Sequence, residues 1–397
     1  MKSRCSVACA AMVVGWVCSA SGAGPLTPPV GAPSSTDKPL IEVEPRTVIN
    51  DANTPGDADS RYRITQPGSY YLVQNEPIAG VRHGIEIAAS DVTIDLMGFT
   101  LFSSNPLPIG SPPVSLDGIT LDGSRENITI RNGTVRGFGE DGVDVPAGNS
   151  RFEDLLVIGN EGNGLFAGAR SLIARCRVSD NGARGVIAND NLLLVHCIAA
   201  GNGAVGFGLT GGYSHAIGSS AFFNGGTGFA VGFNSHIANC SAIGNDIGFG
   251  LGSASMITDS DASLNSSWGI QAIEIFIDQG AHIERCMVTG PGITVQGHGL
   301  VRDCVVVNTT GDGIRVGGRN NRIEGNHVNQ AATAYRVNSP GNLIIRNSAS
   351  DCATDYSINA GNRYGAIVTS PGPAPAVAGG PAASTLGTAD PWANFAY

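Results

Sequence analysis

The stretch TGFAVGFNSHIANCSAIGNDIGFGL at residues 227–251 begins and ends on nearly the same phrase. TGFAV and IGFGL share the form x-Gly-apolar-x-apolar and lie about twenty residues apart. Their apolar residues alternate with a period of two, which is typical of β-strands and not of helices. Because so short a unit cannot bury its apolar side alone, the stretch predicts repeats that stack on one another.

The phrase recurs along most of the chain, at intervals of 20 to 24 residues. Further copies include DGITL at 117, DGVDV at 141, NGLFA at 163, RGVIA at 184, WGIQA at 268, PGITV at 291 and DGIRV at 312. A second phrase, apolar-x-x-Cys-x-(Val/Ala)-x-x-Asn, lies within each period. We expect its asparagines to form a turn ladder, because Asn tolerates the left-handed backbone conformation and stacked amides bond along the axis. The members of this ladder are Asn160, Asn181, Asn202, Asn224, Asn245 and Asn265. Together the phrases predict an all-β chain that folds as a right-handed parallel β-helix, a solenoid of about 12–13 coils.

The composition of the sequence predicts that the chain is divided into four segments. Residues 1–23 predict a signal peptide, because Lys2 and Arg4 precede an apolar run too short to span a bilayer. Residues 24–60 are a Pro/Ser-rich arm, 61–365 the β-helix, and 366–397 a Pro/Ala/Gly-rich tail with an aromatic C-terminus. The tail either caps the last coil or anchors the protein. We expect bacterial-type export to the medium, periplasm or cell envelope, and no transmembrane segment.

The repeats resemble those of the pectate-lyase-like superfamily, and in particular its uncharacterised secreted bacterial members. The resemblance rests on the Gly-Ile-x-Ile and Ile-x-x-Cys/Asn-x-Val-x-x-Asn phrases and covers roughly residues 61–365. It implies the fold but no single activity, since the superfamily includes lyases, glycosidases, epimerases, adhesins and noncatalytic stalks. The net charge of −10 argues against nucleic acid as a partner.

Function is expected on the outward-facing residue of each phrase, between its two inward-facing apolar residues. The side chains of this row are acidic at its N-terminal end and basic at its C-terminal end. In the middle of the row they are small. Its members are Glu86, Thr120, Asp144, Phe166, Ile187, Gly208, Ala230, Gly250, Gln271, Thr294, Arg315, Arg336 and Ser357. A centre of glycine and alanine counts against an ordinary cleft enzyme.

An acidic cluster marks the N-terminal coils. Asp117, Asp122, Asp141 and Asp144 are candidates for an acid/base pair. Glu86, Asp141 and Asp144 are candidates for a Ca²⁺ site, since Ca²⁺ takes six to eight oxygen ligands. The structural alternative is that these aspartates close turns for backbone reasons. No other cofactor is expected.

Two basic residues are weaker catalytic candidates. His298 lies in a Gly-His-Gly triplet that resembles an element of polygalacturonase-type glycosidases, where the histidine supports the catalytic carboxylates. The rest of that pattern is missing, and we favour a turn histidine. Arg315 is a candidate lyase base because no lysine follows Lys38, although arginine's high pKa makes it a poor base.

The cysteines are expected to be buried free thiols. Five of them share the interior ladder position, and stacked parallel side chains suit a disulfide poorly. These five are Cys176, Cys197, Cys240, Cys286 and Cys304, and Cys352 falls near a turn.

Two functions therefore stay open. The first is a noncatalytic surface or extracellular protein with a structural or glycan-binding role, whose partner is a polysaccharide or cell-surface polymer. The alternative is a carbohydrate-active enzyme, namely a polysaccharide lyase, glycosidase or epimerase, that uses the acidic N-terminal coils.

Overall fold

The structure is a computed structural model that describes residues 44–104, 116–272, 279–369 and 390–397. The predicted signal peptide and the arm up to residue 43 lie outside the described residues. From Arg46 onward the chain forms one compact unit. Every regular element in the described ranges is a β-strand, so none of them is a helix able to cross a membrane.

The strands are short and follow one another at close intervals. In the first half of the chain they are Thr47–Val48 (β1), Ser60–Ile64 (β2), Gly68–Tyr71 (β3), Glu76–Ile78 (β4), His83–Ile87 (β5), Val92–Asp95 (β6), Thr100–Ser103 (β7), Ile119–Leu121 (β8), Ile128–Arg136 (β9), Val143–Val145 (β10), Arg151–Ile158 (β11), Leu165–Ala167 (β12), Leu172–Ala174 (β13), Arg177–Ser179 (β14), Val186–Ala188 (β15), Leu193–Val195 (β16), Ile198–Ala200 (β17), Phe207–Leu209 (β18), His215–Ile217 (β19) and Ser220–Phe222 (β20). The second half continues with Phe229–Val231 (β21), His236–Ala238 (β22), Ser241–Ile243 (β23), Ile247–Leu251 (β24), Met256–Thr258 (β25), Asp261–Ser263 (β26), Trp268–Ala272 (β27), His282–Glu284 (β28), Met287–Thr289 (β29), Ile293–Val295 (β30), Leu300–Arg302 (β31), Val305–Val316 (β32), Arg322–Glu324 (β33), His327–Val337 (β34), Leu343–Ile345 (β35), Ser348–Ser350 (β36), Thr354–Ile358 (β37), Arg363–Tyr364 (β38), Ile367–Thr369 (β39) and Asn394–Ala396 (β40).

The strands stack in parallel as three faces of a solenoid, and each coil adds one strand to each face. Face A consists of β2, β5, β8, β10, β12, β15, β18, β21, β24, β27, β30, β32, β34 and β37. Face B runs from β1, β3 and β6 through β13, β16, β19, β22, β25, β28, β31, β33 and β35 to β38. Face C runs from β4 and β7 through β14, β17, β20, β23, β26 and β29 to β36 and β40. The longer strands β9, β11, β32 and β34 bend around a corner and serve two faces.

The parallel β-solenoid that the repeats predict is confirmed, with one more coil than we count from the phrases. Face A has fourteen strands in the described residues. The additional strand is β2, whose Tyr62 and Ile64 face the core. Strand pairing in fact starts before residue 61, because β1 pairs with β3 and Ile49 is buried.

The interior is a set of ladders in which each residue packs on its equivalent in the next coil. Phe207, Phe229 and Phe249 are fully buried, and their ring centroids lie 4.8 and 5.2 Å apart. The glycine of each phrase is required by the close approach of the next coil. A Cβ on Gly185 would lie 2.6 Å from the carbonyl oxygen of Gly206 and 2.8 Å from the amide nitrogen of Asn202. The repeated Gly-apolar-x-apolar phrase is therefore scaffold.

The predicted asparagine ladder is present and buried from Asn160 to Asn265. Each side-chain amide donates to the next carbonyl oxygen, for example from Asn202 to Asn224 at 2.9 Å. Of our two reasons for expecting asparagine, the bonding of stacked amides is confirmed, whereas the left-handed backbone conformation is wrong. The left-handed residue is the one before each ladder position, such as Asp180 with φ 55° or Phe223 with φ 51°. Asparagine is needed for its amide, which links consecutive coils.

The C-terminal residues return to the solenoid, as the capping interpretation of the tail predicts. Strand β40 pairs with both β36 and β39, and Asn394 is fully buried at the end of a second ladder formed with Asn326 and Asn347. The guanidinium of Arg346 lies over the ring of Trp392, with 4.2 Å between the Arg346 Cζ atom and the ring centroid.

The cysteines in the described residues are free, as predicted. Cys176, Cys197, Cys240, Cys286 and Cys304 are buried, whereas Cys352 is half-buried. Each buried thiol donates to carbonyl groups of its own coil and of the preceding one, as Cys240 does to Ala238 and Ala216.

Candidate functional site

The outward row predicted from the phrases lies on face A in the predicted order. Glu86, Thr120, Asp144 and Phe166 occupy equivalent positions on consecutive strands. The row begins one coil earlier than the sequence phrases indicate, because Arg63 on β2 pairs in register with Glu86. This arginine changes the chemistry of the acidic cluster.

Arg63 pairs with carboxylates in the first part of the cluster. Its guanidinium is 2.7 Å from Glu86 Oε2 and also bonds Asp122. It lies 2.9 Å from Asp57 Oδ2 as well. The Ser60 hydroxyl donates to both Asp57 and Glu86. Glu86 and Asp122 are therefore occupied by structural partners.

A compact group of carboxylates lies beside Arg63. One oxygen each of Asp57, Asp59 and Glu86 falls within a 4.8 Å cluster. Arg63 and Ser60 already bind Asp57 and Glu86, and the single positive charge of Arg63 offsets only part of the negative charge of this group.

The aspartates that precede glycine link consecutive coils. Asp117 Oδ1 accepts the backbone N–H of Asp141 at 2.9 Å. Asp141 in turn accepts a hydrogen bond from the backbone N–H of Asn163 at 2.6 Å. It accepts another from the side-chain amide of Asn163. Asp117 and Asp141 therefore each hold a backbone group of the next coil.

His83 lies one coil before Asp117 in the row that contains these two aspartates. The backbone N–H of Asp117 donates to His83 Nδ1 at 3.1 Å, while Asp117 Oδ2 lies 3.3 Å from the same nitrogen. The first contact needs a bare Nδ1 and the second a protonated one, so the proton on Nδ1 decides which bond forms. Burial alone would lower the pKa of His83, but Asp117, Glu140 and Glu86 outweigh it and raise that pKa.

Asp144 differs from the other carboxylates of the cluster. It is half-buried in the middle of β10, and its carboxylate makes no hydrogen bond within the described residues. Burial, followed by the negative charges of Asp117 and Asp141, raises its pKa to about 6. Burial also raises the pKa of Asp141 and of Glu140.

Apolar side chains extend the row beyond Asp144. Phe166 on β12 pairs with Asp144, and Ile187 on β15 pairs with Phe166. Both side chains are half-exposed on the outer surface of face A. A half-buried carboxylate thus lies next to an aromatic ring and an aliphatic side chain.

The two basic candidates lie far from the acidic coils. Arg315 is eight strands from Asp144 along face A, which corresponds to roughly 38 Å at the usual strand spacing. It is exposed and lines a cavity of about 300 Å³ with Trp268. His298 lies in the turn after β30 with φ 57°, and its Nε2 is 2.8 Å from the Asn320 amide. The structure therefore brings neither residue to the carboxylates.

Three residues of the site escape sequence reasoning. Asp57 precedes the first repeat, Arg63 lies in a coil without the glycine phrase, and His83 lies two places before the phrase's apolar residues. The alternation in RYRI at 61–64 does place Arg63 outward, and His83 precedes glycine as Asp117 does. The row of Arg63 and Glu86, taken together with the row of His83 and Asp117, would have identified Arg63 and His83 from the sequence.

Comparison with known proteins identifies the kind of solenoid. The family described as "Right handed beta helix region" matches residues 117–271. This match agrees with the stacked parallel strands, which form a right-handed parallel β-helix.

Several solved structures are similar to this chain. The A-module of the mannuronan C-5 epimerase AlgE4 from Azotobacter vinelandii is 15% identical, with 75% of this chain and 90% of that chain covered and a TM-score of 0.49. The receptor-binding tailspike of bacteriophage Det7 is 11% identical, with coverage of 77% and 73% and a TM-score of 0.38. PfbA, a surface adhesin of Streptococcus pneumoniae, is 8% identical, with coverage of 72% and 84% and a TM-score of 0.32. These similarities assign no activity to this chain. No curated protein matches it in sequence.

Proposed function

We propose that this chain is an exported β-helix protein that binds a polysaccharide or cell-surface polymer on face A without converting it. One observation carries the proposal: Asp144, Phe166 and Ile187 occupy the same outward position on three consecutive strands. Export is supported by the signal-like sequence of residues 1–23.

The chemistry of these three side chains suits a sugar chain. A carboxylate accepts hydrogen bonds from hydroxyl groups, and Asp144 has this capacity free within the described residues. Phe166 offers an apolar ring surface on which the C–H face of a sugar ring packs. Beyond Ile187 the outward side chains of the row become small, at Gly208, Ala230 and Gly250. They leave a smooth surface along the solenoid axis.

Binding of polymers to the full-length protein tests the proposal. We expect a uronate polymer or a neutral glucan to bind the parent, and Asp144→Asn and Phe166→Ala to weaken binding at least tenfold. Asp261→Asn and Phe222→Ala are matched controls, because both residues are half-buried and lie on face C. No binding by the parent, or equal losses in the controls, would contradict a site on face A.

A carbohydrate-active enzyme is the second candidate, and the raised pKa of Asp144 favours it. A carboxyl group with a pKa near 6 is protonated often enough near neutral pH to act as a general acid. It would donate its proton to the glycosidic oxygen as that bond breaks. Asp117 and Asp141 suit this chemistry less well, since both accept backbone N–H groups.

Turnover separates the two functions. Release of new reducing ends, or of unsaturated uronate ends, from a polymer incubated with the parent would replace the binding proposal by the enzyme. Loss of that turnover in Asp144→Asn, with binding retained, would identify Asp144 as the acid. Binding without turnover supports the noncatalytic function.

Ca²⁺ stays a proposed partner of the acidic coils. Asp144 and Glu140 fit a cation best, because neither carboxylate makes a hydrogen bond within the described residues. Glu86 fits less well, since Arg63 and Ser60 bind it. Calorimetry should show heat on adding Ca²⁺ to the parent and none with the Asp141→Asn/Asp144→Asn variant. Absence of heat in both proteins would remove calcium from the proposal.

A further inference from the structure

Face B carries a row of side chains of a different chemistry. His215, His236 and Met256 occupy equivalent positions on the consecutive strands β19, β22 and β25. All three point outward between buried core positions. His215 is exposed, and His236 and Met256 are half-buried.

The two imidazoles are already close. Their ring centroids are 6.0 Å apart, and the rings meet edge to face at 79°. His236 Nε2 lies 3.4 Å from the Thr258 hydroxyl. Neither ring forms an ion pair with a carboxylate in the described part of the chain. Burial and the neighbouring His215 lower the pKa of His236, which keeps it neutral and able to coordinate.

The spacing of the strands suits a shared metal ion. Adjacent strands are separated by ~4.8 Å. Two nitrogen ligands with metal bonds of about 2.0–2.1 Å lie roughly 3.3 Å apart around a tetrahedral ion. Rotation of the two side chains covers this difference, so the backbone of the solenoid need not move. We propose that His215, His236 and Met256 bind one copper ion on face B.

The choice of metal follows from the ligands. Imidazole binds several late transition metals, whereas thioether sulfur selects Cu⁺ among them. Cu²⁺ is also the divalent first-row ion that nitrogen sites bind most tightly. The two histidines therefore hold copper in either oxidation state, and Met256 strengthens the site for Cu⁺. His282 lies one strand beyond Met256, too far from His215 to share the ion.

Titration of the full-length protein with copper salts tests the site. We expect one Cu²⁺ per chain, with an electron paramagnetic resonance spectrum that shows coupling to two imidazole nitrogens. Either His215→Ala or His236→Ala should weaken Cu²⁺ binding at least tenfold, and the double variant should lose the saturable site. Met256→Leu should weaken Cu⁺ binding at least tenfold and leave Cu²⁺ binding nearly unchanged.

His196→Asn is the matched control. His196 is an exposed histidine with φ 53°, a conformation that asparagine tolerates, and it lies outside the row. The cysteines are the same in every variant, so differences in copper affinity report the row alone. Equal affinity in the parent and the double histidine variant would overturn the site. Zn²⁺ bound as tightly as Cu⁺, with no effect of Met256→Leu, would overturn the assignment to copper.

Discussion

Asp144 shows at the scale of one residue how the solenoid changes the acidity of a side chain. An unfolded aspartate has a pKa of 3.8, whereas burial and two neighbouring carboxylates raise that of Asp144 to about 6. The native state therefore holds the proton more tightly than the unfolded state. Ionisation of Asp144 should destabilise the fold progressively as the pH rises from about 4 to about 6.

Asp144→Asn removes this penalty. At pH 7 we expect the variant to exceed the parent in free energy of unfolding by about 1–2 kcal/mol, after allowance for partial solvent exposure. Below pH 4 both proteins carry a neutral side chain here, and their stabilities should converge. Urea unfolding at the two pH values checks the difference. A variant less stable than the parent at pH 7 would show that the carboxylate is stabilised by a partner.

Cys240 represents the buried thiols. Its side chain is 3% exposed, and burial raises the pKa of its thiol to about 11. Cys240→Asp would bury a carboxylate without a cationic partner, so we expect a loss of about 3 kcal/mol or more in stability. Thermal unfolding measures this loss, and Cys240→Ser is the matched control. An unchanged midpoint in the Asp variant, or rapid labelling of Cys240 in the native protein, would contradict its inward position.

At the scale of the repeated element, the asparagine ladder connects one coil to the next. The Asn224 amide donates to Ala199 and Asn245, and its oxygen accepts from the backbone and side chain of Asn202. Asn224→Ala would leave these buried groups unpaired, and we expect a loss of about 2–4 kcal/mol. Asn189→Ala, at an exposed position, should cost less than about 0.5 kcal/mol. Equal effects of the two substitutions on urea unfolding would show that the ladder does not stabilise the stack.

The repeated element also explains why the fold is more predictable than the site. Core ladders need an apolar residue at the same position in every coil, so the apolar equivalents of Phe207 recur and identify the strands and their register. The site depends on residues that differ from coil to coil. Arg63 belongs to a coil without the repeated phrase, and the sequence alone does not show that it binds Glu86 and Asp122. The hydrogen bonds that Asp117 and Asp141 accept likewise depend on distances to the next coil.

At the scale of the whole molecule, the exposed ends of a solenoid limit its stability and solubility. The last strand of each face presents unpaired backbone groups that can pair with another chain. On face C, β40 covers the edge of β36: Phe395 and Tyr397 donate backbone N–H groups to Asn347 and Ala349, each at 2.9 Å. The Tyr356 hydroxyl also donates to the carbonyl oxygen of Phe395.

Removal of residues 390–397 should therefore have two effects. The truncation removes several backbone hydrogen bonds and the two hydrogen bonds that Asn347 donates to the side-chain oxygen of Asn394. We expect this to lower the free energy of unfolding by roughly 3–5 kcal/mol. The uncovered edge of β36 should also promote association of chains, seen as a concentration-dependent mass in light scattering. Asn394→Ala is the control, because it breaks the ladder contact but leaves β40 in place to cover the edge. This variant should lose about 1–3 kcal/mol in free energy of unfolding and keep the parent's mass in light scattering. A truncated protein with the parent's mass and thermal midpoint would show that the C-terminal strand does not act as a cap.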